Sequence, residues 1–329
     1  MNSTDSSKSP KRRWPRIVGL FGIAIAVLVV ITAVTIWRAP IWFGLELAGL
    51  ELHAEGMHGH SATIDGVQIH YIEGGSGEPL VLVHGLGGSS RQDWLKLAPY
   101  FLRSGHHVYA MDLPGFGQSA RPADRSYSIA EQARFVEVFM DATHLNSVAL
   151  GGESMGGWIA ARVAIDQPRR ISRLVLFDSA GMKFDLGFDP ILFTPETREQ
   201  AAALAHLVSS RSRPMPGFVA DDLVRTLQRD SWIIKRALIS MKSNVDIMDQ
   251  NFSSLKMPLL LVWGKDDLLT PLSVGERMHE AAPQSVLEVY DGCGHIALLD
   301  CSDRVGPNVV KFLNGSGPEP GSTLEVPAP

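Results

Sequence analysis

Cysteine is scarce in this sequence: 329 residues contain only Cys293 and Cys301. They lack the paired spacing of a structural zinc site, so none is expected. Two separate thiols are the expectation, because a bridge would need an oxidising compartment and a geometry that spacing alone does not fix. Basic stripes are also missing from the body, and the net charge is -5, so a nucleic-acid partner is not expected. The shares of hydrophobic (45%) and charged (20%) residues are those of an ordinary globular chain.

One stretch lacks charge altogether. Residues 17–37, "IVGLFGIAIAVLVVITAVTIW", follow a polar start containing Lys8, Lys11, Arg12, Arg13 and Arg16. About 20 apolar residues rising 1.5 Å each match a hydrocarbon core of ~30 Å. Trp14 and Trp37 stand near the two ends, where amphipathic rings favour the headgroup level. The basic side precedes the span, so residues 1–16 are expected to form a cytoplasmic tail, 17–37 an anchor, and the body to be exported. A cleaved signal would have a shorter apolar stretch and a small-x-small site, which "VTIWRAP" supplies poorly. Residues 38–62 read either as a short helix on the bilayer surface or as a linker. Residues 315–329, rich in Pro, Gly and Ser, are expected to be a disordered tail.

The body, residues 63–314, alternates short apolar runs with helical periodicity. "GVQIHYIEG", "PLVLVHG", "HHVYAMDLPG", "SVALGG", "SRLVLFDSAG", "MPLLLVWGKDD" and "SVLEVYDGCGH" read as strands. "SIAEQARFVEVFMDATH", "MGGWIAARVAIDQP" and "VGERMHEAA" read as helices, the first opened by a Ser128/Glu131 capping box. This alternation predicts an α/β fold with a mostly parallel sheet, whose functional groups collect at the carboxyl ends of the strands. Residues 182–254 break the rhythm. "TPETREQAAALAHLVSS", "VADDLVRTLQRDSWIIKRALISM" and "NVDIMDQNF" look helical, and a structureless loop of that length does not suit a compact domain, so a helical cap is expected.

Ser154 sits among Gly151, Gly152, Gly156 and Gly157, between a strand-like and a helix-like run. Glycine is costly inside either element, so the cluster needs a geometric reason. Gly152-Glu153-Ser154-Met155-Gly156 reads as G-x-S-x-G, a sharp strand-to-helix turn that exposes the hydroxyl of a nucleophile. A serine needs a base. Among eleven histidines, His295 in "DGCGH" stands just past a strand end and fits that role. The base needs an orienting carboxylate. Asp267 is expected to supply it, with Asp266 and Asp178 as rivals. "VHGLGG" supplies flexible backbone for an oxyanion site, assigned to the N–H groups of Leu86 and Met155. His84 is read as a structural hydrogen-bonding residue and "DLPGFGQS" as scaffold.

In that order, "HGLGGSS", "DLPGFGQS", "GESMGG", "WGKDDLLTP" and "GCGH" resemble the α/β-hydrolase fold superfamily over residues 64–314. The span, "LFDSAG" and "SLKMPLLLVWGKDD" are similar to membrane-anchored monoacylglycerol-lipase-type hydrolases and related bacterial lipases. The resemblance implies a Ser154, Asp267, His295 triad, a small-molecule or lipid ester substrate and no cofactor or metal. Carbon–carbon hydrolysis and perhydrolysis use the same triad and stay open, as does a non-catalytic binding module on this fold. Dehalogenase and epoxide-hydrolase chemistry is disfavoured, since those relatives place an aspartate where Ser154 stands. Glu153 departs from the neutral residue or histidine often found there; a carboxylate beside the nucleophile would stabilise the imidazolium of His295 unless it pairs within the fold. Oligomeric state is not legible.

Overall fold

A computed structural model describes residues 14–243 and 245–329. Lys8, Lys11, Arg12 and Arg13 of the expected cytoplasmic tail lie outside the described residues. Helix α1 (Trp14–Arg38) contains the window Leu20–Arg38, with mean hydropathy 2.7 and no part of it buried. A core helix would be covered by the body, whereas this one is long and apolar enough to cross a membrane. The helix ends at Ala39, and Pro40 opens α2 (Pro40–Ala54), its fixed φ suiting a first helical position. Within residues 38–62, Pro40–Ala54 is a helix rather than a plain linker. It rests on the body through buried Ala48 and Leu52. Its open first turn is capped from elsewhere in the chain, the Ile41 N–H donating to Asp222 Oδ2 at 2.9 Å.

Strand β1 (His58–Ile64) pairs antiparallel with β2 (Val67–Gly75) across Asp65-Gly66, both at positive φ. An Asp-Gly pair in that conformation is a preferred two-residue hairpin turn. The remaining strands are β3 (Glu78–Val83), β4 (His106–Met111), β5 (Val148–Glu153), β6 (Ile171–Phe177), β7 (Leu259–Gly264), β8 (Ser285–Tyr290) and β9 (Thr323–Val326). They form one sheet in the order β1-β2-β4-β3-β5-β6-β7-β8-β9, parallel from β4 to β9.

Helices fill the crossovers. The short α3 (Ser90–Asp93) and α4 (Ala98–Arg103) precede β4, α5 (Ile129–Ala142) precedes β5, and α6 (Met155–Asp166) follows it. Both faces of the sheet's centre are covered, so the inner parallel strands β3 and β5 to β8 are mostly apolar rather than alternating. Val81, Val83, Leu174, Leu176, Leu259 and Leu261 enter one core with α5 and α6. Their neighbours Leu80, Leu82, Val175, Phe177, Leu260 and Val262 enter a second core on the opposite face. Each such side chain contributes roughly 1.5–3 kcal/mol.

Between β6 and β7 the chain leaves the sheet for α7 (Arg198–Val208), α8 (Gly217–Arg229) and α9 (Ser231–Lys242). A capping box between Thr197 and Gln200 starts α7. At α5 the expected box is only half formed: Ser128 Oγ accepts the Glu131 N–H, while the Glu131 carboxylate reaches the Tyr127 N–H at 2.8 Å. Asn244 of "NVDIMDQNF" lies outside the described residues, and the rest of that segment, from Val245, is not the expected helix. It is a run of turns ending in a 3₁₀ turn at Phe252–Ser254, tied down by Trp158 Nε1 donating to the Asp246 carbonyl (2.8 Å) and by Arg162 on the Asp246 carboxylate (3.0 Å). These tertiary bonds draw the backbone away from helical pairing. After β7, α10 (Leu272–Ala281) leads to β8, and α11 (Ala297–Asp300) and α12 (Ser302–Leu313) follow.

Two expectations about the C-terminal region are corrected. Residues 315–329 are not a disordered tail: Thr323–Val326 pair in register with Leu287–Tyr290. An open β8 edge presents unpaired backbone groups, and a short β-capable "TLEV" satisfies them. Arg304 fixes the strand's end by donating to the carbonyls of Val326 and Pro327. Nor are the cysteines separate thiols. Cys293 and Cys301 form a disulfide with Cα atoms 6.1 Å apart. The loop between β8 and α12 doubles back and brings them within bridging reach, which spacing could not reveal. Closing so short a loop is worth about 2–3 kcal/mol in the chain-entropy account.

Candidate active site

Ser154 stands between the last residue of β5 and the first of α6, at φ 51° and ψ -117°. A non-glycine residue there is strained, at a cost of order 1–3 kcal/mol, and persists only when its surroundings dictate it. Here they do. A Cβ on Gly152 would strike the Gly156 carbonyl, and one on Gly156 would strike the carbonyls of Val83 and His84. The glycines thus let strand and helix close on the turn, while the Ser154 N–H is held by the Phe177 carbonyl at 2.9 Å.

The turn aims the hydroxyl at an imidazole 141 residues away: His295 Nε2 lies 2.9 Å from Ser154 Oγ. His295 Nδ1 lies 2.9 Å from Asp267 Oδ2. Asp267 Oδ1 accepts from the N–H groups of Leu269 (2.7 Å) and Thr270 (2.9 Å), which fixes the carboxylate's orientation. The three expected side chains therefore lie in one hydrogen-bonded chain, all buried. Such a chain can pass a proton from the hydroxyl to the imidazole and stabilise the cation that results.

The rival aspartates are elsewhere. Asp266 is exposed. Asp178 is fully buried, but its two oxygens accept from the N–H groups of Gly264 (2.7 Å) and Ala297 (3.0 Å), so it ties β7 to the histidine loop. His84 behaves as a structural residue: Nδ1 donates to the Gly85 carbonyl (2.7 Å) and Nε2 accepts from the Leu113 N–H (3.0 Å). Asp112 of "DLPGFGQS" gathers the N–H groups of Ser90 and Gln118 and the His70 ring. Burial raises its carboxyl, but these donors outweigh burial and hold it below the ordinary range. Met155 opens α6, and Leu86 lies in the turn after β3. Among the described residues, neither of their N–H groups has an acceptor. Leu86, Ser154 and His295 line one cavity of about 930 Å³. Its walls are largely apolar side chains from the segment after β6, and Ile41, Trp42 and Leu45 of α2 also line it.

Residues 78–215 match the family described as alpha/beta hydrolase fold, and residues 236–323 the family described as TAP-like protein. The crystal structure of a membrane phospholipase A, a bacterial virulence factor, superposes with TM-score 0.77 at 27% identity, covering 91% of this chain and 99% of that one. The chain has the α/β-hydrolase fold. Among curated relatives of this hydrolase, Lipase 1 of Psychrobacter immobilis is 27% identical over 75% of this chain and 81% of its own length. The 2-hydroxy-6-oxo-2,4-heptadienoate hydrolase of Pseudomonas putida is 29% identical over 72% of this chain and 89% of its own. Lipases and carbon–carbon hydrolases thus both stand near it.

Around this hydrolase's serine the sequence missed two groups and left a third unplaced. Thr270 Oγ1 donates to the Asp178 carbonyl (3.1 Å) and turns its lone pairs to His295 Nδ1 (2.9 Å), steadying the ring beside Asp267. Asp93 is buried and accepts the Gly85 N–H at 2.9 Å, beneath the turn that carries Leu86. Neither has a sequence signature, since each acts through a tertiary contact. The third is the setting of Glu153, which the sequence flagged without placing. Its Oε1 lies 3.5 Å from His295 Nε2, so it faces the imidazole. Burial, then the charges of Asp93, Asp178 and Asp267, push its carboxyl well above 4.5, with the Gly85 N–H opposing only in part. The neutral acid is therefore favoured, and the expected anionic support of the imidazolium is weakened.

A carboxyl raised on folding adds stability below its unfolded pKa and loses it as pH rises through the folded value. Glu153→Gln, neutral at every pH, is expected to match the wild type in thermal unfolding near pH 4 and to gain on it as pH rises through the raised folded value. Each tenfold in proton affinity is worth about 1.4 kcal/mol. Unfolding curves that shift in parallel at all pH values would contradict a neutral Glu153.

Proposed function

We propose that this α/β hydrolase cleaves carboxylic esters of lipids at a membrane surface. Ser154 is the nucleophile, His295 the general base and then acid, and Asp267 the group that orients His295. Ser154 Oγ attacks the ester carbonyl while its proton passes to His295 Nε2. The tetrahedral oxyanion is received by the N–H groups of Leu86 and Met155. Collapse breaks the C–O bond, and His295 returns the proton to the departing alcohol. Water, deprotonated by His295, then attacks the acyl-enzyme and releases the carboxylic acid and free Ser154.

The observation that carries the reading is the linkage of Ser154, His295 and Asp267 through two 2.9 Å contacts on a cavity that reaches α2, directly after the apolar α1. That continuity favours a lipid ester over a soluble dienoate, the substrate class for which the carbon–carbon hydrolases are named. We read α1 as an uncleaved anchor, with the N-terminus cytoplasmic and the body exported. The Cys293–Cys301 disulfide supports this side, since such bridges persist in oxidising compartments.

The test is turnover by the full chain in detergent or vesicles, using esters of graded acyl length and a 2-hydroxy-6-oxo-dienoate side by side. Long-chain esters should be cleaved with kcat/KM at least about tenfold above acetyl esters, reflecting burial of successive methylenes at about 0.8 kcal/mol each. Preferential cleavage of the dienoate would reject the ester reading.

A further inference from the structure

Arg91 is not used by the hydrolytic steps above, and its setting is unusual. It follows the turn that carries Leu86, in α3, and lines both the main cavity and a smaller one of about 200 Å³ against α2. Its guanidinium lies flat on α2: a Cβ on Gly49 would stand 3.1 Å from Arg91 Cζ, so glycine leaves the space that the cation occupies. With its amide oxygen turned inward, Gln118 accepts from both terminal nitrogens at 3.0 and 3.1 Å, fixing the plane of the fork. Nε is buried and has no hydrogen-bond partner. The nearest carboxylate, Glu46 of α2, is 3.6 Å away and half exposed, too loose for a satisfied bidentate pair. Two other cavity arginines are better matched, Arg121 and Arg229 both holding Asp230 at 2.9 Å.

The chemistry of this pair is selective. A planar, always charged fork suits a phosphate, and a carboxylate beside it suits a quaternary or primary ammonium. Both lie where the cavity meets the helix that directly follows the membrane-length α1, the level at which lipid headgroups sit. We propose that Arg91 and Glu46 form a headgroup subsite that holds the phosphate and the ammonium of a zwitterionic glycerophospholipid while its ester lies against Ser154. This rests on the ester-hydrolase reading and adds the substrate's polar half to it. The phosphate takes the terminal nitrogens of Arg91 by displacing the loosely held Glu46, and the ammonium takes Glu46, which is free to swing because it is half exposed.

The experiment compares kcat/KM for a lysophosphatidylcholine, a lysophosphatidic acid and a monoacylglycerol of one acyl length, using the full chain in detergent. Ratios between substrates cancel any loss of folded protein. Arg91→Gln should lower the ratio of lysophosphatidylcholine to monoacylglycerol about tenfold, mainly through KM, and Arg91→Lys should recover part of it. Glu46→Gln should shift preference from lysophosphatidylcholine toward lysophosphatidic acid. An unchanged ratio in Arg91→Gln overturns the subsite, as does an Arg91→Gln effect equal on all three esters. Millimolar inorganic phosphate that binds at Arg91 with no change in these ratios marks a free-anion site and also overturns it. A wild-type chain that cleaves none of the three esters, yet cleaves the dienoate, rejects the underlying ester reading instead.

Discussion

Ser154→Ala is expected to lower ester turnover by at least about 10³-fold while leaving the protein folded. The alanine keeps the Cβ and the backbone N–H that bonds Phe177, and the turn is enforced by Gly152 and Gly156 rather than by the hydroxyl. What is lost is the oxygen 2.9 Å from His295 Nε2. Thermal unfolding should move by no more than a surface substitution would move it, within about 0.5 kcal/mol. Turnover retained in a well-folded Ser154→Ala would place the nucleophile elsewhere.

The second large effect separates three aspartates that are close in sequence logic and different in space. Asp267→Asn keeps an oxygen for the N–H groups of Leu269 and Thr270, so its amide nitrogen is turned toward His295 Nδ1. Two donors cannot face one another. The imidazole is driven to the tautomer with the proton on Nε2, which cannot take the proton of Ser154. Activity should fall about 10³- to 10⁴-fold with stability little changed. Asp178→Asn should do the reverse. Both Asp178 oxygens accept buried N–H groups, and an amide can satisfy only one, so about 1–3 kcal/mol of stability should be lost. Its activity loss should track the folded fraction. Asp266→Asn, on the exposed side of the loop, should change neither. Steady-state kinetics and denaturant unfolding on the same preparations check all three.

What could be read from the sequence was what leaves a local trace. Six apolar runs became strands because a parallel sheet covered on both faces needs continuous apolar segments, and "GVQIHYIEG" became the antiparallel β2 through its alternation. Ser154 was legible because its glycines serve the turn itself. Ser154, His295 and Asp267 could be singled out because each follows a strand end, where such sheets gather side chains. Strand β1 went unread because "HGHSATI" is mostly exposed and polar, although Asp65-Gly66 is a hairpin signal that could have found it. Strand β9 went unread because it is four residues at an edge and owes its form to β8. The disulfide, the Thr270 contact and the Arg91 fork depend on how separate segments meet, and no local pattern encodes that.

The most direct test of the account is covalent. The full chain, treated with a fluorophosphonate and digested, should yield one adduct by mass spectrometry, on the peptide bearing Ser154. That adduct should be absent in Ser154→Ala and should form far more slowly in Asp267→Asn, since the hydroxyl reacts only when His295 can take its proton. An adduct on another residue, or an unlabelled Ser154 in a preparation that still hydrolyses esters, would contradict the proposal that Ser154, His295 and Asp267 act as one relay.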